Sequence, residues 1–398
     1  MLIVEDIIWW FFQLLIGVNL FLPIVFYLAY QLRGRKKAIA LGNADRSYTF
    51  DYAIIVTAYE QTALLPAVVN SLLNLRYENY LIYVVADKCD LSSVQFADDR
   101  VIVLRPEVVL ANNVKSHFYA IDRFVRKHDI LTIIDSDNLV DPNYLTELNA
   151  YFQMGFKAVQ GVRKAKNLDT TYACLDAARD LYYHFYDGKL LFNLGSSATL
   201  AGSGMAFEVA LYKSALSSLE IEGAGFDKVL QYELVKNNHR IAFAEDAIVY
   251  DEKTSRSDQL VKQRARWINT WFKYFYFGFK LLVSSVKQQS SNQFLFGMVL
   301  LRPPLFLFLL AGMLCLGIHL LLGNFFEAGF WLSGFIVFTI GFFVALKQAQ
   351  ANPKIYSALK GIPAFIFYQL KSLFYVKKAN KVSVATEHYH QEQSDENN

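Results

Sequence analysis

Cysteine is scarce in this chain. Cys89, Cys174 and Cys315 lie far apart with no CxxC spacing, which excludes a disulfide framework or a cysteine zinc site and suits a reducing compartment for the soluble part. The seven histidines show no zinc-like spacing, and His388 and His390 fall in a polar tail where they read as solvated surface residues. A dominant charge is missing too: 39 basic against 36 acidic side chains leave a net charge of +3, which gives no electrostatic case for bulk nucleic-acid binding. No internal repeat is evident.

What is abundant is apolar and aromatic residues, at 54% and 16% of the chain, high enough to place part of it in lipid. Ile7 to Tyr30 contain no Asp, Glu, Lys or Arg and are long enough to cross a hydrocarbon core of roughly 30 Å, so residues 1–32 are expected to form a transmembrane helix. A signal peptide would carry its positive charge before the apolar run; here Arg33, Arg35, Lys36 and Lys37 come after it. The positive-inside rule then places the N-terminus outside and the basic cluster, with the soluble residues beyond it, in the cytoplasm, as in a bacterial-type inner membrane. Residues 269–300 read as interfacial helices, with two lysines among the rings of Trp271 to Val286. Pro303 to Leu322 and Ala328 to Leu346 read as a transmembrane hairpin within 301–347, and 355–380 as a second basic-edged amphipathic segment. The tail, 381–398, is polar and acidic and reads as disordered.

Between them, residues 50–268 have a soluble composition. The β-rich runs 53–58, 81–86, 101–104, 130–135 and 157–162 alternate with stretches long enough for crossover helices, which predicts an α/β fold with a mostly parallel sheet. Such sheets bind ligands outside the carboxyl ends of their strands. Thr57, Tyr59, Glu60, Asp87, Asp135 and Asp137 all fall at such ends.

Asp135 and Asp137, in LTIIDSDN, are two carboxylates on a turn leaving a strand. That arrangement suits a hard divalent cation, Mg2+ or Mn2+, that bridges phosphate oxygens. The alternative is a helix cap at Asp137 or Asp141. Asp87, in VVADKCD, can accept from the imide N–H of a uracil ring, and Lys115, beside a predicted helix start, can approach a diphosphate. Gly202 and Gly204 in LAGSGMAF allow either close approach to a ligand or a tight turn. Asp227 opens a predicted helix after Gly223 and Gly225, as a cap or an exposed base. In KQRARW, Gln263, Arg264, Arg266 and Trp267 can meet a diphosphate and a sugar ring, or anchor the chain at the membrane.

In order, AYE (58–60), ADKCD (86–90), Lys115, DSD (135–137), GSG (202–204), FD (226–227) and QRARW (263–267) resemble the motifs of the membrane-bound family-2 glycosyltransferases, which include cellulose, chitin and hyaluronan synthases. The resemblance implies a GT-A-like domain that binds a UDP-sugar with Mg2+ or Mn2+. Tyr59, Glu60, Asp87, Lys115, Asp135, Gln263 and Arg266 would hold the donor, and Asp137 with Asp135 the cation. Gly202, Ser203, Gly204 and Trp267 would meet the acceptor, and Asp227 would act as general base.

Two departures stand out. Gly225-Phe226 replaces the Thr-Glu that usually precedes this aspartate, and Glu60-Gln61 replaces the usual Asn-Glu pair. Glu245-Asp246 imitates the lost Glu-Asp pair, but it opens a β-like run too near QRARW. ATEHYH (385–390) resembles a gating segment of the synthases. The implied reaction is inverting transfer to a polysaccharide or glycan acceptor at the cytoplasmic face, and few membrane helices leave room for a homo-oligomer to complete any channel. The alternatives are transfer of one sugar to a ceramide- or polyprenyl-type lipid, or a non-catalytic nucleotide-sugar-binding regulator of a synthase. A transporter is disfavoured because its expected intramembrane charges are missing.

Overall fold

The computed structural model describes residues 2–33, 48–92, 94–221 and 223–378. Arg35, Lys36 and Lys37 of the basic cluster, and the tail with His388, His390 and the 385–390 segment, lie outside the described residues.

The chain enters through α1 (Leu2–Leu32). Eight strands then form one sheet: β1 (Tyr52–Tyr59), β2 (Tyr80–Asp87), β3 (Val101–Leu104), β4 (Ile130–Asp135), β5 (Leu139–Val140), β6 (Ala158–Ala165), β7 (Met205–Glu208) and β8 (Ile241–Asp251), in the order β3-β2-β1-β4-β7-β6-β8-β5. The first four are parallel; β7 runs antiparallel between β4 and β6, while β8 is parallel to β6. Residues 52–56 of β1 and 82–85 of β2 have no exposed surface. A strand buried on both faces has no polar alternation to keep, which is why these two read as continuous Val, Ile and Tyr runs. All five predicted strands are present. The β-like run around Glu245-Asp246 is the long strand β8, and the two strands without a sequence signal, β5 and β7, have two and four residues.

The intervening helices are α2 (Leu65–Leu73), α3 (Asn113–Ile121), α4 (Tyr144–Gln153), α5 (Thr171–Tyr183), the short α6 (Leu191–Asn193), α7 (Val209–Leu216) and α8 (Phe226–Lys236). Between α5 and α6, His184–Leu190 winds as a π-helix, a conformation found often at functional sites. After β8 come α9 (Ser257–Tyr274), α10 (Tyr276–Gln288), α11 (Ser291–Leu301), α12 (Leu305–Leu321), α13 (Phe325–Gln348), α14 (Pro353–Ala358) and α15 (Ile362–Ser372).

Among the described residues, two helices are long and apolar enough to cross a membrane, Asp6–Leu32 within α1 and Phe325–Gln348. The expected hairpin is altered: α12 is continuous in hydropathy with α11, and the two meet at a 72° bend where Pro303 and Pro304, lacking N–H groups, interrupt the helical ladder. The expected single interfacial helix from Trp271 to Val286 is also divided, because α9 carries QRARW onward to Tyr274 and α10 begins at Tyr276. Gln13 ties the apolar helices together, its Oε1 2.7 Å from His319 Nε2 and 3.3 Å from Trp331 Nε1. Tyr186 on the π-helix donates to Gly341 O of α13 at 2.8 Å, joining the apolar helices to the sheet domain.

Candidate active site

Register brings the strand ends together. Thr57 pairs with Asp135 across β1 and β4, and Tyr59 with Asp87 across β1 and β2. Because β2 lies on one side of β1 and β4 on the other, this edge is a switch point of the sheet, where open α/β folds bind ligands. A cavity of about 1540 Å³ opens there.

The DSD turn forms part of the cavity wall, with Asp135 and Asp137 both on its lining. The Asn138 N–H donates to Asp135 O at 3.1 Å, and the buried Ser203 hydroxyl accepts from Asp135 N–H at 3.1 Å and from Asn138 Nδ2 at 2.7 Å. Ser203 therefore lies behind the wall and shapes the turn; among GSG only Gly202 lines the cavity. Gly202 and Gly204 have φ of +89° and +66°, values that favour glycine, so the motif makes the tight turn. The helix-cap alternative does not describe Asp137 or Asp141, because β5 intervenes and α4 starts only at Tyr144, after Asn143.

Lys115 also lines the cavity. It lies inside α3 rather than before it, and its N–H donates to the Asn112 cap at 3.1 Å. Tyr59 lines the cavity, whereas Glu60 does not: it turns to an exposed ion pair with Lys88 at 2.7 Å. Asp87 is 2% exposed and accepts from the N–H groups of Leu110 at 3.1 Å and Ala111 at 2.7 Å. It borders a separate recess of about 30 Å³ shared with Thr57 and Tyr59.

On the same cavity lining, α8 presents Asp227 one residue into the helix, its carboxylate 3.1 Å from Lys228 Nζ. Gly225 precedes it with φ +99°, and a Cβ there would stand 2.6 Å from Thr270 and 2.8 Å from Tyr274. Contact with α9 thus explains why this chain carries glycine where the resembling motif has threonine. Glu245 and Asp246 do not line the cavity, and Glu245 pairs with Lys189 at 2.6 Å.

Gln263, Arg266 and Trp267 line the cavity from α9. Gln263 accepts from Thr254 Oγ1 at 3.1 Å, and burial lowers the Arg266 pKa. The Arg179 and Arg264 guanidinium carbons each lie 4.1 Å from the centre of the Trp267 ring, within reach of its electron-rich face. Both arginines pair with buried Asp176, Arg179 at 3.0 Å. Burial pushes the Asp176 pKa up, but Arg264 and Arg179 outweigh it and hold the carboxyl below its ordinary value.

Sequence reasoning missed this network and its extension. Lys253 pairs with Asp180 and Asp251, and Arg163 with Asp251. Arg302, at the α11–α12 bend, pairs with Asp187 of the π-helix. Arg163 and Asp251 stand near the carboxyl ends of parallel β6 and β8, so the strand-end rule that exposed Asp135 also reaches them. Asp176, Asp180 and Asp187 carried no comparable signal.

Among the described residues no group of three or more His, Cys, Asp or Glu converges as a metal cage. Two carboxylates on one turn nevertheless fit a hard cation that takes its remaining oxygens from a diphosphate and water.

Residues 50–270 match the family described as glycosyltransferase like family 2. Over 92% of this chain and 99% of the other, the fold is similar to a mannosyltransferase from Pyrobaculum calidifontis solved with GDP-Man and Mn2+, at TM-score 0.55 and 11% identity. S. aureus TarS, residues 1–349 with UDP-GlcNAc, covers 83% of this chain and 90% of its own at TM-score 0.43 and 13% identity. No curated protein matches the sequence. The sheet and its helices are a GT-A-like α/β fold, and with more than half of its length matched the chain belongs to the family-2-like glycosyltransferases.

Proposed function

We propose that the protein is an inverting, divalent-cation-dependent glycosyltransferase that moves a sugar from a UDP-sugar to a glycan acceptor at the cytoplasmic face of the membrane, with its N-terminus outside. One observation carries this reading: Asp135, Asp137, Asp227, Arg266 and Trp267, from separate parts of the sequence, line a single cavity.

Asp135 and Asp137 would hold the cation, which when bound supplies charge neutralisation to the leaving diphosphate. Lys115, Gln263 and Arg266 bind the diphosphate oxygens, and Arg266, partly desolvated, gives the stronger attraction of a low-dielectric site. Asp87 holds the 110–111 backbone, and each of its oxygens keeps a second acceptor position for the imide N–H of the base. Trp267, which lines the cavity beside Arg179 and Arg264, would meet the acceptor sugar with the part of its indole that these guanidinium groups leave open. Asp227 takes the acceptor hydroxyl proton as the oxygen attacks the anomeric carbon. With base and leaving group on opposite faces of the sugar, an α-linked donor yields a β-linkage.

A second reading, transfer of one sugar to a membrane lipid, draws on the contribution of Arg302 to Phe306, the bend between the apolar helices and the first residues of α12, to the cavity wall.

Nucleotide release by the purified chain in nanodiscs, with Mn2+ and a panel of UDP-sugars, tests the proposal against Asp227→Asn. Donor-specific turnover that the substitution abolishes while nucleotide binding persists is expected. Tight Mn2+-dependent binding with no turnover from any donor would instead favour a binding regulator.

A further inference from the structure

Beyond Asp227 the cavity continues along α8. Asp227, Lys228 and Gln231 all line it, with Asp187 and Arg302 on its wall as well. The 199–200 segment connects these groups. Lys228 Nζ donates to Leu200 O at 3.1 Å, Gln231 Oε1 accepts from Leu200 N–H at 3.0 Å, and Thr199 N–H donates to Asp187 O at 3.0 Å. Asp187 in turn pairs with Arg302.

Among Asp187, Asp227, Lys228, Gln231 and Arg302, two buried polar atoms have no hydrogen-bond partner. Gln231 Nε2, on a side chain with no exposed surface, and Asp187 Oδ1, on a residue 4% exposed, are both buried and unbonded. Buried polar groups are nearly always paired, so such orphans call for an explanation. One is a donor and the other an acceptor, and the local charges cancel, Asp187 and Asp227 against Lys228 and Arg302. A phosphate has no use for the Asp187 carboxylate and, already anionic, no need of a base. A sugar ring presents hydroxyls that donate and accept at once, and its attacking hydroxyl does need one. The cavity, at about 1540 Å³, also exceeds the roughly 300–1,000 Å³ of an ordinary ligand site, leaving room beside a nucleotide sugar.

We propose that Gln231 and Asp187, with Lys228 and Arg302, form a saccharide subsite that holds the acceptor sugar with its attacking hydroxyl toward Asp227. This rests on the transferase reading above and names its acceptor class: a sugar hydroxyl rather than a lipid phosphate.

The test uses the full chain in nanodiscs with Mn2+. Nucleotide release is measured against β-linked oligosaccharides of two to five units and, separately, against polyprenyl phosphate. Gln231→Glu keeps the acceptor for Leu200 N–H and removes the Nε2 donor; Asp187→Asn keeps an acceptor for Arg302 and changes the charge. The expected result is oligosaccharide-stimulated release whose KM for the oligosaccharide rises about tenfold in each variant, with the affinity for UDP and Mn2+ changed by less than twofold. Stimulation by polyprenyl phosphate alone overturns the subsite. So does an unchanged oligosaccharide KM in both variants, or no stimulation by either acceptor while nucleotide binds. Failure of the wild-type chain to bind any UDP-sugar with Mn2+ overturns the transferase reading itself and is thereby distinguished.

Discussion

The two walls of the cavity are built on different principles. The strand-end wall, with Tyr59, Asp135 and Asp137, is made by short polar turns leaving apolar strands, and each residue is placed by its own strand and register. The other wall is made by α5, the π-helix, α9 and the 302–306 bend into α12, held by buried ion pairs between residues about 70 to 115 positions apart, such as Lys253 with Asp180 and Arg302 with Asp187. Asp135 and Asp137, on a turn leaving a strand, keep part of their surface exposed. A buried charge depends on a partner that only the folded chain supplies, so the second wall is the more fragile and the less legible.

Substitutions should separate the walls. The largest effect is expected at Asp227→Asn, which removes the proposed base from the cavity lining. A loss of about 10³-fold in kcat with nucleotide affinity retained is the expected outcome, within the range for general-base removal; steady-state kinetics beside calorimetric UDP binding checks it, and retained turnover would show that another group takes the proton.

Asp176→Ala should cost stability rather than chemistry alone. It strips buried Arg264 and Arg179 of a shared carboxylate, and breaking a buried pair from one side costs about 3–5 kcal/mol. A large drop in melting temperature, partly restored by Asp176→Glu, is the expected result. If instead the melting temperature holds, the far wall does not depend on its ion pairs and the contrast fails.

The third expectation concerns pH. His117 has no exposed surface, its Nδ1 lies 2.7 Å from Tyr212 Oη, and burial lowers its pKa from 6.5 to about 3. The unfolded chain therefore binds a proton below 6.5 that the folded chain refuses until about 3. Stability present above 6.5 is lost as pH falls, by about 1.4 kcal/mol per unit from this group. Melting curves between about pH 7.5 and 5 should show that decline, and His117→Gln should flatten it.

The smallest effect is expected at Glu60→Ala. Its ion pair with Lys88 is exposed, and such pairs contribute little; an unchanged melting temperature, and unchanged UDP affinity, are expected because Glu60 does not line the cavity. A clear loss of UDP affinity would restore it to the donor site.

The donor-side residues were readable because their placement obeys a local rule. Asp135 and Asp137 come directly after a β-branched run, and an apolar strand cannot bury two nearby charges without a partner. The same rule, applied to the ends of β6 and β8, would have found Arg163 and Asp251. Gly225 shows a partial failure: its departure from the family motif was visible, but its cause, Thr270 and Tyr274 pressing on it from α9, was not. Ser203 is the reverse case, since a motif position expected at the acceptor proves to hold the DSD turn from behind.

The sequence by itself determined the apolar runs, the longer strands of the α/β domain and the carboxylates at the end of β4, because hydropathy and side-chain period act over neighbouring residues. Only the tertiary structure decided that α11 and α12 bend into the cavity wall, that Asp176 and Asp187 are buried against arginines, and that Gln231 lies beside Asp187 across the 199–200 segment. Those facts depend on desolvation and charge pairing between distant parts of the chain, and a one-dimensional pattern carries no record of which distant charge a buried one will meet.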